Sequence, residues 1–214
     1  YTPRTLTEPI VKTTLEVQVY RGPTEGKPRE EWQLKNAQEI LDLKVCDPAC
    51  GSGAFLAEAC RYLGKRLVEA WSLAEQASEA GAKPTTFTIE GVPSSGAPDE
   101  HLLPDSEGER ELLARRLVAG RCLYGVDKNP IATEMAKLSL WLLTMDQGRP
   151  FSFVDHAIRS GDSLVGLTKD QIEALTWEEV PLARQAWISD QLDASRQRRD
   201  DLIALGDHHV AEKH

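Results

Sequence analysis

Apolar residues along this chain change their spacing several times, and each change marks an element. Leu6, Ile10 and Val11 open an apolar stripe at helical spacing that runs toward Val19 and Tyr20. Thr7 suits an N-cap, Glu8 suits the positive helix end and Pro9 fits a first turn, so a helix is predicted from about Thr7. Residues 21–29 carry two glycines and two prolines and read as a loop. A second helix is predicted over 30–41, with Trp32, Ile40 and Leu41 inward. Leu43 to Cys46 is a short apolar run, the first core strand. After Gly53, the residues Phe55, Leu56, Ala59, Leu63, Leu67, Ala70 and Trp71 recur at helical spacing and predict a long helix. Residues 83–108 have no period and are rich in Pro, Gly, Ser and Thr; they read as a surface insertion with a short hairpin around 86–92. A helix over 109–119 returns the chain to a second strand, 121–127. Asn129 and Pro130 open an amphipathic helix with Ile131, Met135, Leu138 and Leu142 on one face, and 156–159 is a short third strand. Beyond Gly166 the pattern turns helical and charged, over 169–175 and 181–205, with residues 196–201 a solvated helix face. Short strands separated by helices predict an open α/β sheet.

The junction between the first strand and the long helix carries the chemistry. Val45-Cys46-Asp47-Pro48-Ala49-Cys50-Gly51-Ser52-Gly53-Ala54-Phe55-Leu56 is strand, acidic turn, two glycines and an apolar helix start. That order makes a cradle for a nucleotide-like ligand, because glycines let a ligand approach the main chain and the helix turns its free N–H groups toward the same place. A dinucleotide fingerprint would need a third glycine where Leu56 stands, and no basic residue follows Gly53 as a phosphate loop requires. Asp47 would repel phosphate and suits a cationic or zwitterionic ligand.

Charge and composition narrow the setting. The 214 residues hold 28% charged and 41% apolar side chains, a globular balance, with a net charge of −9. Such acidity argues against strong DNA binding by this chain alone, since DNA affinity comes from Lys and Arg neutralising phosphates. No apolar run approaches the roughly 20 residues that cross a bilayer. The four cysteines, Cys46, Cys50, Cys60 and Cys122, form no paired motif and fit a reducing cytoplasm; Cys46 and Cys50, which flank the acidic turn, read as small buried fillers. His208, His209 and His214 read as a polar tail, so no metal site is expected. The start at Tyr1, with no initiator Met, reads as an excised fragment.

The string D-P-A-C-G-S-G-A-F-L resembles motif I of S-adenosylmethionine-dependent DNA methyltransferases, in particular the adenine-specific, amino-methylating group. G-V-D-K-N-P at 125–130 and G-D-S-L at 161–164 resemble the second and third cofactor motifs, and Tyr1-Thr2-Pro3 resembles the Y-T-P segment that closes over the methionine end of the cofactor. Over positions 1–167 the likeness is to large methyltransferases of restriction-modification and phage-defence systems. It implies a partial Rossmann-like methyltransferase core, a mostly parallel sheet flanked by helices, with helical additions at both ends. The divisions would be a helical segment at 1–42, the core at 43–167 with its loop insertion at 82–108, and a helical extension at 168–214. The cofactor would be S-adenosylmethionine. Asp47, with Pro48, Ala49, Gly51, Ser52 and Gly53, would take the methionine end, Asp127 beside Lys128 the ribose hydroxyls, and Asp162, Ser163 and Leu164 the adenine.

Such enzymes also need a D/N/S-P-P-Y/F/W tetrapeptide whose polar group and aromatic ring hold the flipped base. Here Asn129-Pro130 is followed by Ile131, in the wrong place, so no catalytic residue is assigned. The expectation is the cofactor half of a DNA adenine methyltransferase, inactive alone, with DNA engaged through the full-length protein. A non-catalytic cofactor-binding module stays open as an alternative, as does a methyltransferase acting on cytosine amine, RNA or protein.

Overall fold

The computed structural model describes residues 2–79, 86–98, 100–144 and 154–165, with 190–191, 193–195 and 197–198 further on. The chain divides into two compact units, Tyr1–Gly161 and Asp162–His214. Most of the described structure belongs to the first unit. In the second, the described positions within 190–198 are helical and mostly exposed, Gln197 and Arg198 among them, and the predicted helix over 169–175 lies outside the described residues.

The first unit opens with helix α1, Arg4–Val19. It starts earlier than its capping residues suggested. Pro3 is the N-cap, and its carbonyl accepts from the Leu6 and Thr7 N–H groups. Thr7 is therefore helical and buried, while Leu6 and Ile10 of the predicted stripe point outward at 55% and 52% exposure. The inward face is Thr7, Val11, Leu15 and Val19, an i, i+4 ladder that packs along the third helix. Strand β1, Tyr20–Arg21, pairs antiparallel with β2, Gln33–Leu34. The helix expected over 30–41 thus breaks in two: a 3-10 turn at Arg29–Glu31, then α2, Ala37–Leu41. Asn36 explains where α2 begins. Its side chain accepts the Glu39 N–H at 2.9 Å while the Glu39 carboxylate accepts the Asn36 N–H at 3.0 Å, a reciprocal capping box.

Strands β3, Val45–Asp47, β4, Leu123–Asp127, and β5, Ile158–Ser160, form one parallel sheet in that order. Register pairs Asp47 with Gly125, and Asp127 with Ser160, so the strands end close to level. Three helices cover the sheet face that carries Leu123, Gly125 and Ile158: α3, Ala54–Glu79, α4, Glu107–Arg121, and α5, Pro130–Thr144. Along α3, Leu56, Ala59, Cys60, Leu63, Leu67, Ala70 and Trp71 are all buried, the helical period the sequence displays. The opposite face carries Cys46 and Arg159, both exposed, and half-buried Tyr124 and Val126. Cys46 is accordingly no buried filler, whereas Cys50 is buried as expected, and Cys60 and Cys122 are buried too.

Two stretches depart further from the pattern. On α5 the strongly apolar residues Ile131, Met135, Leu138 and Leu142 are 43–70% exposed, and the buried side is Thr133, Ala136, Leu140 and Thr144. The stretch read as a surface insertion closes the core instead. Phe87, Ile89 and Leu103 are buried there, Thr88 pairs with Leu102, and the buried Trp71 donates its indole N–H to the Ile89 carbonyl at 2.8 Å. The predicted hairpin is present within it, turning at Gly91 with φ +76°.

Candidate functional site

The carboxyl ends of β3 and β4 meet at the glycine loop. Asp47 ends β3, and its Oδ1 accepts the Ala49 N–H at 3.1 Å, which turns the chain sharply through Pro48. The Cys50 N–H then donates to the Val126 carbonyl at 2.9 Å, tying the loop to β4. Gly53 N–H donates back to the Cys50 carbonyl at 2.8 Å, and the Gly53 carbonyl accepts from Ala57, starting α3. Every one of these bonds uses main chain or a short side chain, so the loop is fixed by local turns and by one tie to β4.

The two glycines serve different ends. Gly51 has φ +53°, and a Cβ there would meet nothing within 4 Å: the main chain is bare toward open space. Gly53 has φ +79°, and a Cβ there would lie 2.9 Å from the Ala136 Cβ and 3.0 Å from its Cα. Its missing side chain lets α5 approach the loop, and the Ser139 hydroxyl adds a 3.2 Å bond to the Ser52 carbonyl. Gly125, which the sequence reading passed over, does the same within the sheet. A Cβ on it would stand 2.8 Å from Leu56 Cδ1 and 3.1 Å from Cys50 Sγ and Ile158 Cδ1. A glycine interrupting an apolar strand is a signal of such close approach.

Asp127 is the electrostatic centre. Its Oδ2 accepts the Gly51 N–H and its Oδ1 the Asn129 N–H, each at 2.8 Å. These two donors, Asn129 foremost and then Gly51, hold its carboxyl below the ordinary Asp value, so it stays ionised through neutral pH. Cys50 beneath the loop reports the neighbouring charge: burial first, then Asp47 and Asp127, push its thiol up to about 11. That thiol is a neutral packing group, and the two carboxylates converge on one loop.

The remaining predicted residues lie on other elements. Lys128 is exposed at the start of the turn into α5. Thr2 is half-buried and Pro3 exposed at the head of α1, while Tyr1 lies outside the described residues. Asp162, Ser163 and Leu164 belong to the second unit, where Asp162 Oδ1 accepts the Leu164 N–H at 3.0 Å and Leu164 is 94% exposed. Among the described residues no cluster of three His, Cys, Asp or Glu side chains could hold a metal ion, and no helix is long and apolar enough to cross a membrane.

The charge at the loop does not suit a pyrophosphate. Bare main chain at Gly51 leaves room where a Cβ would project, and two carboxylates rather than cations border it. A parallel sheet, a glycine loop after its first strand and an acid returned to that loop from the next strand define a Rossmann-like methyltransferase core. The family model described as MmeI, DNA-methyltransferase domain, matches residues 24–197, and the chain belongs to that family. No curated protein and no solved structure gives a significant match to the chain.

Proposed function

We propose that this chain is the S-adenosylmethionine-binding part of a DNA methyltransferase that modifies the exocyclic amine of adenine within a restriction-modification or phage-defence system. The observation that carries the cofactor reading is the Asp127–Gly51 bond at 2.8 Å, which presents a carboxylate and open glycine main chain together at the strand ends. Membership of the MmeI DNA-methyltransferase family supports the reaction class.

Each residue then has a definable task. Asp47 accepts from the ligand's ammonium group, directly or through water. Gly51 and Ser52 offer main chain to the methionine portion. Asp127 has lone pairs beyond those taken by Gly51 and Asn129, and accepts from the ribose hydroxyls. Asp162, with Ser163 and Leu164, is assigned to the adenine end by sequence resemblance alone. The sulfonium supplies a methyl group already activated for transfer, so the protein's work is alignment of donor and acceptor. The tetrapeptide that would hold the target base does not occur in this sequence, and the chain alone is expected to transfer no methyl group.

Isothermal titration of the chain with S-adenosylmethionine tests the reading. The unmutated chain should bind, and Asp127→Ala should weaken binding at least about tenfold, the equivalent of ~1.4 kcal/mol. An unmutated chain that takes up no heat with ligand overturns the cofactor assignment. Incorporation of labelled methyl into duplex DNA by the chain alone would overturn the assignment of the chemistry elsewhere.

A further inference from the structure

Glu58 is a carboxylate with no task in the site described above. It lies in the second turn of α3 with its side chain only 6% exposed, among apolar Ala57, Ala59 and Cys60. A carboxylate so buried is costly unless paired and hydrogen-bonded. Its Oε2 accepts from Arg61 at 3.0 Å, one turn along the same helix, and from Arg4 Nε at 3.1 Å. Arg61 would suffice to neutralise it. Arg4 comes from 54 residues away and adds something a local partner cannot, a fixed relation between α1 and α3.

The direction of that relation matters. Arg4 meets Glu58 near the start of both helices, and Tyr20, just past the end of α1, accepts a 2.7 Å bond from Arg66 further along α3. The helices therefore run the same way, and the head of α1 lies at the end of α3 where the Gly51–Gly53 loop enters it. Pro3 is rigidly joined to that head, because its carbonyl accepts the Leu6 and Thr7 N–H groups at 3.0 and 3.2 Å. At the head of the helix Leu6 is exposed, and among the described residues Arg4 also faces Glu8 at 3.5 Å.

We propose that Glu58 is a positioning residue, which clamps Arg4 and so holds the Thr2–Pro3 segment as a wall beside the glycine loop. The proposal rests on the cofactor reading above, in which that end of α3 receives the amino-acid portion of S-adenosylmethionine. A wall there acts on ligands that carry the amino-acid portion and leaves a bare nucleoside thioether untouched.

Titrations with S-adenosylmethionine and with 5′-methylthioadenosine, which lacks the amino-acid end, make the test. Arg4→Ala removes an exposed partner and leaves the fold in place, which a melting curve checks. It should weaken S-adenosylmethionine about tenfold and leave methylthioadenosine unchanged. Arg4→Lys should recover most of the loss, and Glu58→Gln should give the same split between the two ligands. Equal S-adenosylmethionine affinity for Arg4→Ala and the unmutated chain overturns the clamp, as does an equal loss for both ligands. If the unmutated chain binds neither ligand, the cofactor reading falls and the clamp with it; binding that ignores Arg4 removes the clamp alone.

Discussion

Two glycine-bearing stretches of this protein look alike in composition and behave as opposites. The loop at 47–53 and the stretch at 86–103 are both rich in turn residues, and in both a carboxylate gathers backbone N–H groups. In the first, the carboxylate is Asp127, which belongs to another strand and ties Gly51 to β4. In the second, it is Glu100, which accepts from the Ser95 and Gly96 N–H groups and the Ser94 and Ser95 hydroxyls of its own stretch. The loop held from outside keeps its main chain open at Gly51. The stretch held from within turns inward, with a Gly91 Cβ position only 3.1 Å from Ala37 Cβ and 3.6 Å from Trp71. The two stretches thus differ in which element supplies the carboxylate and in whether a glycine faces open space or the core.

The largest effect that would break this contrast falls on Trp71. It is fully buried in α3 and carries the hydrogen bond to Ile89, so the 86–103 stretch leans on it. Trp71→Ala should cost about 3–5 kcal/mol of stability, read from chemical denaturation. A loss below about 1 kcal/mol would return that stretch to the status of a surface insertion.

Within the first loop the contrast sharpens to neighbouring glycines. Gly53→Ala forces a Cβ against the Ala136 backbone at a left-handed φ. Left-handed backbone and overpacking together should cost about 2–4 kcal/mol. Gly51→Ala meets open space, so only the backbone term of about 1 kcal/mol applies. Affinity should reverse that order, with Gly51→Ala losing at least about tenfold for S-adenosylmethionine because its methyl occupies the ligand's approach. Melting curves and titrations of both variants decide it. Equal melting temperatures would mean that the distinction between packing glycine and site glycine is wrong.

How much of this was legible in the sequence follows from how local each signal is. Asp47, Gly51, Gly53 and the α3 stripe sit in one contiguous string, so strand, loop and helix could be read together. Asp127 was legible as an acid at a strand end, though its bond to Gly51 was not. On α5 the hydrophobic ranking selected Ile131, Met135, Leu138 and Leu142, and the fold buries Thr133, Ala136, Leu140 and Thr144. At Ala136 the steric setting is visible: it packs so closely on the loop that a Cβ on Gly53 would lie 2.9 Å from its own. Thr7 on α1 was buried in preference to Leu6 for a related cause, since the helix starts at Arg4 and its phase is set by packing on α3. Phe87, Ile89 and Leu103 have no common period, because each reaches the core from an irregular backbone. The partnership of Arg4 with Glu58 spans 54 residues and left no mark in either neighbourhood.

The smallest expected effect is a pH response confined to the inward-turned stretch. The Ser94 hydroxyl, then the Ser95 hydroxyl and N–H, hold the Glu100 carboxyl down to about 2, well below its usual 4.5. A carboxyl depressed in the folded state stabilises that state above its unfolded pKa and ceases to do so as pH falls through the folded one. The contribution should therefore be complete above about pH 5 and fade between pH 4.5 and about 2. Because Glu100 is only half-buried and its partners are local, global stability should register it weakly. The Ser95 and Gly96 amide resonances should, moving together across that acid range in the unmutated chain and remaining flat in Glu100→Gln. The Gly51 amide makes the matching control, since its acceptor Asp127 lies in a different strand, and Glu100→Gln should leave its acid titration unaltered. If Glu100→Gln shifted the Gly51 titration as well, the two carboxylates would belong to one coupled network, and the division between outward-held and inward-held loops would not survive.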